Sequence, residues 1–431
     1  MRSRLLTLCV ILSVVGSLVA TMAPAPSVAS AKDPVTITFW KASHGETADD
    51  WQKIIDDFQA ANPDIKVESV IHPWEGWDER YGTAFAAGNP PDVSYMPDEF
   101  YPKFAVAGQL AKYEEVAPDA TKAMQPDFPE NLWKLGQFEG HQYGIPYLYV
   151  AIQLFYNKDL FDAAKVPYPP SSPDDPTFAD WTWDKFVEVA KKLTDPAKDQ
   201  WGYAWTVAFR DNNFTYPYLW QAGADIVDVK ANKNAFGNEK GLKAFQFMYD
   251  LVHTYKVVPA DGMDQHFQQW FFEGKAGMAP VESYSIATLR KDYPNLNVGV
   301  ALMPQGPGKD FFDGRGTFGN VGFMVVSEAS KNKDAAVKFV QFISSKEKNQ
   351  QMMDVVKLFG ARNDFTPPSD PLFQVFMTGR KWLVGYPLHP KLRQVHSLIY
   401  PEVQAMILGQ KTPQQALNDA AANVDKILQA P

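Results

Sequence analysis

Three carboxylates and one aromatic strand are the parts of this chain best suited to chemistry on a ligand. Asp98, Glu99 and Glu282 are of the type that can flank a glycosidic bond, one as acid and one as base or nucleophile. Solvated surface charge is the competing reading for each of them. The segment 143–158, YGIPYLYVAIQLFYNK, alternates in the manner of a strand after the breaks at Gly144 and Pro146. Leu148, Val150, Ile152, Leu154 and Tyr156 share one face, a candidate core surface. Tyr147, Tyr149, Ala151, Gln153 and Phe155 share the other, whose rings and amide suit a wall that stacks on a flat, hydroxylated ligand. A strand buried on both faces would read the same way. Other catalytic patterns are missing. There is no G-x-S-x-G elbow and no H-E-x-x-H, and none of the seven histidines form an i, i+4 pair, which argues against a zinc site. Gly306-Pro307-Gly308-Lys309 falls short of a phosphate loop, because Met303 stands at the first glycine position and Asp310 follows the lysine.

Alternating strands and helices must carry these residues. Val35–Trp40 reads as a strand. Thr47 can then cap a helix whose Trp51, Ile54, Ile55 and Phe58 fall on one stripe, and Asn62-Pro63 ends it before a second strand at 65–71. Such a unit predicts a parallel sheet with a crossover helix. The alternation continues with a helix near 77–87 and a strand near 92–96. Helices follow at 183–193, 240–255 and 334–344. The last helix opens on Thr412-Pro413-Gln414-Gln415, a capping box with proline at the first helical position. The segment 168–180, with prolines at 169, 170, 173 and 176, reads as a surface loop. The fold class expected is α/β with two lobes.

Residues 1–31 have the form of a signal peptide: Arg2 and Arg4, an apolar run from Leu5 to Met22, and Ala29-Ser30-Ala31 as the cleavage site. An uncleaved anchor is the alternative. Removing 31 of 431 residues leaves 400, enough for two domains, and it removes the single cysteine, Cys9. The remainder has no thiol for a disulfide, a metal or catalysis. Without Arg2 and Arg4 the 41 basic residues become 39 against 50 acidic ones, a net charge near −11 that disfavours nucleic acid and anionic membranes. Aromatic residues make up 14% of the chain, which leaves room for carbohydrate stacking.

Five blocks together resemble the periplasmic solute-binding proteins of ABC transporters. The match is to extracellular solute-binding protein family 1, in the sugar-binding group that includes maltose-binding protein. The blocks are ITFWKASHGETADDWQKIIDDFQAANPDIKV (37–67), GNPPDVSYMPDEFYPKFAVAGQLAKY (88–113), YGIPYLYVAIQLFYNKDLF (143–161), FFEGKAGMAPVESY (271–284) and GNVGFMVVSEASKNKDAAVKFVQFISS (319–345). The resemblance implies two hinged α/β lobes with the ligand between them, one of residues 32–148 plus 300–346 and the other of 149–299 plus 347–431. The chain would cross near Tyr147–Tyr149, Val300–Met303 and Ser345–Asn349. It also implies a ligand wall. Ser43 and His44 would follow the first strand, and Trp74 and Glu75 the second. Asp98 and Glu99 fall where the family often has a carboxylate that takes sugar hydroxyls. Tyr284 stands where a tryptophan is common, and Trp205 and Trp220 where the second lobe offers platforms. Arg315 and Asn320 lie in GRGTFGN (314–320), and Arg362 in FGARND matches a polar contact position.

The function so implied is a monomeric, non-enzymatic receptor outside the cytoplasm, in the periplasm or at the cell surface, without cofactor or metal. It would close on a sugar or polyol and dock on the transmembrane subunits of an ABC permease. A binder of glycerol phosphodiesters or a phosphorylated polyol, using Arg315 and Arg362, is the alternative within the class. A secreted glycoside hydrolase and a glycan-binding adhesin are the alternatives outside it.

Overall fold

The computed structural model describes residues 34–208, 212–259 and 267–430. The expected leader and Cys9 lie outside these residues. No described helix is long and apolar enough to cross a membrane.

The chain begins with the expected unit. Strand β1 (Val35–Ala42) sends Ile37 and Phe39 into the core, and helix α1 (Ala48–Ala61) covers them with Trp51, Ile54, Ile55 and Phe58. Thr47 and Asp50 close a capping box at the start of α1, which satisfies amides that have no partner in the first turn. Strand β2 (Ile65–His72) pairs parallel to β1, and after α2 (Trp77–Ala86) strand β3 (Val93–Pro97) pairs parallel on its other side. The long strand β4 (Gly144–Asn157) follows, then α3 (Trp183–Leu193), β5 (Trp201–Tyr203), α4 (Glu239–His253), β6 (Ala276–Glu282) and β7 (Val298–Ala301). The chain returns in β8 (Thr317–Val326) and continues through α5 (Lys333–Ile343), α6 (Lys346–Val356), β9 (Phe359–Gly360), β10 (Leu383–Val384), α7 (Leu392–Ile407) and α8 (Pro413–Gln429).

Among the described residues, ten strands form one hydrogen-bonded sheet in the order β2-β1-β3-β8-β4-β6-β5, with β7 and β9 on β4 and β10 on β8. Two strands run through both halves of it. The first residues of β4 pair with β8, which also pairs with β3, while its last residues pair with β6 and β7. The return crossing is therefore β8. Val298–Ala301, beside the expected crossing at 300–303, stays paired with residues 154–157 of β4. Nor does the chain leave the first half at 345–349. Helix α6 still packs there, Lys348 Nζ lying 2.7 Å from Asp57 Oδ2 of α1, and β9 then pairs with Leu148 and Tyr149. Close packing at the crossing needs a glycine. A Cβ at Gly322 would fall 2.0 Å from the Tyr95 hydroxyl.

The strand 144–157 is buried on both faces; only Val150 is half-exposed. Residues of both faces belong to one apolar core, so the alternation does not separate core from ligand wall. The proline-rich loop at 168–180 is also tied down at its end, where Trp181 Nε1 donates to the Leu302 carbonyl at 2.9 Å and Phe178 packs under Arg315.

Candidate ligand-binding cleft

A cleft of about 780 Å³ opens between the two halves, within the usual range for a small-molecule site. The loops after β1, β2 and β3 build one wall. In the first loop, the buried Lys41 ammonium is ion-paired to Glu46, donates to the Ala42 carbonyl at 2.8 Å and faces His44 Nδ1 at 2.9 Å. An ammonium has three donors and no acceptor, so this set uses all of them and makes Nδ1 of His44 an acceptor. His44 then carries its proton on Nε2. Burial and the Lys41 charge hold its pKa well below the usual histidine range, so the ring stays neutral. Glu46 also accepts from the His44 amide at 2.6 Å, which fixes the loop's backbone. Ser43 and His44 reach the cleft from this support.

The second loop brings Trp74 to the cleft, edge-on to His44 at 5.0 Å and to Trp77 at 5.2 Å. Its indole remains 39% exposed. After β3, the two adjacent carboxylates part company. Asp98 is buried behind the wall, where it accepts from Asn320 Nδ2 at 2.7 Å and from the Glu99 amide at 2.9 Å. Burial and the neighbouring Glu99 push its pKa well above the usual carboxylate range. Glu99 lines the cleft and pairs with Arg393 at 3.2 Å.

The other half supplies Glu282, at the end of β6, and Tyr284 two residues on. Gln268 Nε2 donates to Glu282 Oε2 at 2.6 Å and Asn213 Nδ2 to Oε1 at 3.3 Å, which aims the carboxylate. Tyr284 is 47% exposed. Val150 of β4, with Phe318 and Asn320 of β8, contributes the middle of the cleft.

Of the residues expected to contact ligand, Ser43, His44, Trp74, Glu99, Glu282, Tyr284 and Asn320 thus meet at one cleft, and eight do not. Asp98 lies behind the wall. Glu75 is exposed outside the cleft, its carbonyl bonded to Arg80. Tyr147 is buried against Trp51, and Tyr149 stacks on Phe359 at 5.1 Å with its hydroxyl 3.4 Å from Met377 Sδ. Trp205 and Trp220 are fully buried and spend their indole N–H groups on the Phe214 carbonyl and Asp225. Arg315 lies 3.7 Å over the Phe178 ring and donates to the Phe178 carbonyl. Arg362 ties Asp364, Asp127 and the Ser344 carbonyl together.

Trp77, Asn213, Phe318, Tyr386 and Arg393 line the cleft without having been expected there. Trp77 alone carried a local signal, three residues after Trp74. The others reach the cleft through contacts distant in sequence. Among the described residues no cluster of His, Cys, Asp and Glu is arranged to hold a metal ion. Chemically, the cleft offers aromatic faces for apolar ring surfaces and carboxylates, amides and a hydroxyl for a polyhydroxylated ligand.

Comparison with known proteins agrees with this architecture. The chain is 24% identical over 368 residues to the maltotriose-binding protein of Pyrococcus abyssi, covering 83% of this chain and 74% of the relative. The sugar-binding protein MalE of Xanthomonas citri superposes with a TM-score of 0.78 at 20% identity, over 91% of this chain and 97% of that one. An ABC substrate-binding protein of Listeria monocytogenes, solved with cycloalternan, gives a TM-score of 0.75 at 22% identity over 93% of this chain and all of that one. The model of the bacterial extracellular solute-binding protein family matches residues 42–350, and the chain belongs to that family.

Proposed function

We propose that this protein is an exported, non-catalytic receptor that binds a neutral sugar between its lobes and delivers it to an ABC importer. One observation carries the reading: Trp74 and Tyr284, one from each half, leave large ring areas exposed at a cleft furnished with Glu99, Glu282, Asn213 and Asn320. Aromatic faces bury the apolar faces of a sugar ring, and the carboxylates and amides take its hydroxyls. The printed names of the relatives, maltotriose-binding and sugar-binding among them, support the same ligand class. Crossing strands β4 and β8 serve as the hinge, and closure about them presents the loaded form to the permease.

The phosphodiester reading loses its residues, because Arg315 and Arg362 are committed elsewhere and neither lines the cleft. The hydrolase reading loses Asp98 in the same way. A thermal-shift screen over neutral mono- to tetrasaccharides, with glycerophosphodiesters alongside, tests the proposal, since a ligand that binds only the folded form raises its Tm. Shifts with neutral saccharides support it. Shifts confined to the phosphodiesters, or steady release of cleaved sugar, overturn it.

A further inference from the structure

Arg393 stands at the start of α7, a helix that packs against α8 and α4 on the far side of the cleft from α2 and β3. Its guanidinium reaches across. Nη2 lies 3.1 Å from Asp78 Oδ2 in the first turn of α2, and Nη1 lies 3.2 Å from Glu99 Oε1 just after β3. Arg393 and Glu99 line the cleft; Asp78 does not. A planar guanidinium presents several donors in one fork, so a single side chain can grip two carboxylates on the opposite wall. Opening the lobes about β4 and β8 must break both pairs, whose groups sit 294 residues apart between Arg393 and Glu99.

We propose that Arg393, Asp78 and Glu99 form a cross-cleft ionic latch that holds the two lobes at the separation described here. Arg393 is thereby a positioning residue for the receptor, setting how far the cleft stands open before ligand arrives. Its consequence for ligand rests on the receptor reading: a sugar that takes hydrogen bonds from Arg393 or gives them to Glu99 must exchange with the latch. The latch itself can be measured without any ligand, so its failure and the failure of the sugar reading are separate results. Arg393 is 46% exposed, and exposed pairs are weak and screened by salt. The latch therefore biases an equilibrium by a few-fold and does not lock it.

The test is the interlobe distance distribution of the full chain, read by pulsed electron spin resonance. Nitroxide labels are placed at Lys53→Cys on α1 and Lys243→Cys on α4, in a Cys9→Ser background. Asp78→Asn removes one arm of the latch without altering the cleft wall, and Arg393→Met removes both. The ratio of wider to present separation should rise roughly two- to five-fold in Asp78→Asn, and at least as far in Arg393→Met. Raising salt from about 0.01 M to about 1 M, which shortens the screening length from about 30 Å to about 3 Å, should produce the same shift in the parent protein and none in Arg393→Met. The salt titration needs no substitution in the latch, so a poorly folded variant leaves the test intact. A parent distribution unmoved by salt, or an Arg393→Met protein that responds to salt as the parent does, overturns the latch.

Discussion

Replacing Trp74 with alanine measures how much of the binding energy comes from one ring. The indole is 39% exposed at the cleft. With about 250 Å² for a tryptophan side chain, that leaves roughly 100 Å² for a ligand to cover. At about 25 cal/mol per Å², complete coverage contributes about 2.5 kcal/mol, and coverage of a single ring face about half of that. Trp74→Ala should therefore weaken binding by about 1–2.5 kcal/mol, a roughly five- to seventy-fold rise in Kd. The assay is calorimetric titration with the saccharide that gives the largest thermal shift. The ring also meets His44 and Trp77 edge-on, so some loss of stability accompanies the loss of affinity. Trp220→Phe is the control. That indole is buried and bonded to Asp225, so its replacement should lower Tm while Kd stays within about twofold, well short of the tenfold that about 1.4 kcal/mol represents. An unchanged Kd in Trp74→Ala, with the parent binding normally, would remove Trp74 from the site and with it the stacking argument.

Three further outcomes are expected. Tyr284→Ala should cost about 1–3 kcal/mol of affinity with little change in Tm, because the ring is nearly half exposed; calorimetry and melting curves separate the two effects. Lys41→Met leaves Glu46 buried without its partner and should destabilise the fold by about 3–5 kcal/mol, whereas Lys41→Met with Glu46→Gln should recover most of that in urea unfolding. If the double variant is no better than the single one, the pair does not act as a unit. Burial, aided by the Arg393 charge, pushes the His396 pKa down to about 3, so between pH 6.5 and 3 the unfolded chain binds a proton that the folded one refuses. Stability is complete above pH 6.5 and falls with acid by up to about 1.4 kcal/mol per unit from this group, or about 2 kcal/mol by pH 5. His396→Phe should flatten the pH dependence of the urea midpoint over that range, and an unaltered slope would refute the assignment.

What was legible in the chain was what local physics decides. The stripe Trp51, Ile54, Ile55, Phe58 and the Thr47 cap depend on residues within a few turns, and the helix they predict is there. The same holds for Thr412 with Gln415 at the last helix. The first half of the cleft was readable because its residues sit directly after strand ends. Tyr147 and Tyr149 were misplaced for a definite reason. Period-two alternation divides a strand into two faces but does not state what covers each one, and here α1 covers Tyr147 while the segment around Phe359 and Met377 covers Tyr149. Trp205 and Trp220 failed likewise, since a buried tryptophan and a ligand platform have the same neighbours in sequence. Arg315 read as a cleft cation because its partner Phe178 is far away along the chain. Arg362 has one partner, Asp364, only two residues on, but its tie to Asp127 comes from far along the chain. Arg393 went unnoticed for the converse reason: its role exists only where α7 meets α2.

The placement of the cleft follows from the sheet. Ser43 and His44 come directly after β1, Trp74 after β2, Glu99 after β3, and Tyr284 after β6. All leave the carboxyl ends of their strands, where ligands collect in open α/β sheets because hydrogen-bonded ladders fix the strand ends and the loops beyond them are free to vary. The crossing strands contribute differently. Val150, Phe318 and Asn320 belong to β4 and β8, and the Asn320 amide is held by Asp98, whose own N–H bonds the Val321 carbonyl at 2.9 Å. Asn320 is therefore tied to the first wall, while Tyr284 belongs to the other half. On the receptor reading proposed above, walls made of loops and a middle made of crossing strands separate recognition from motion: a changed loop alters the ligand offered a grip, and the strands proposed as the hinge are left alone.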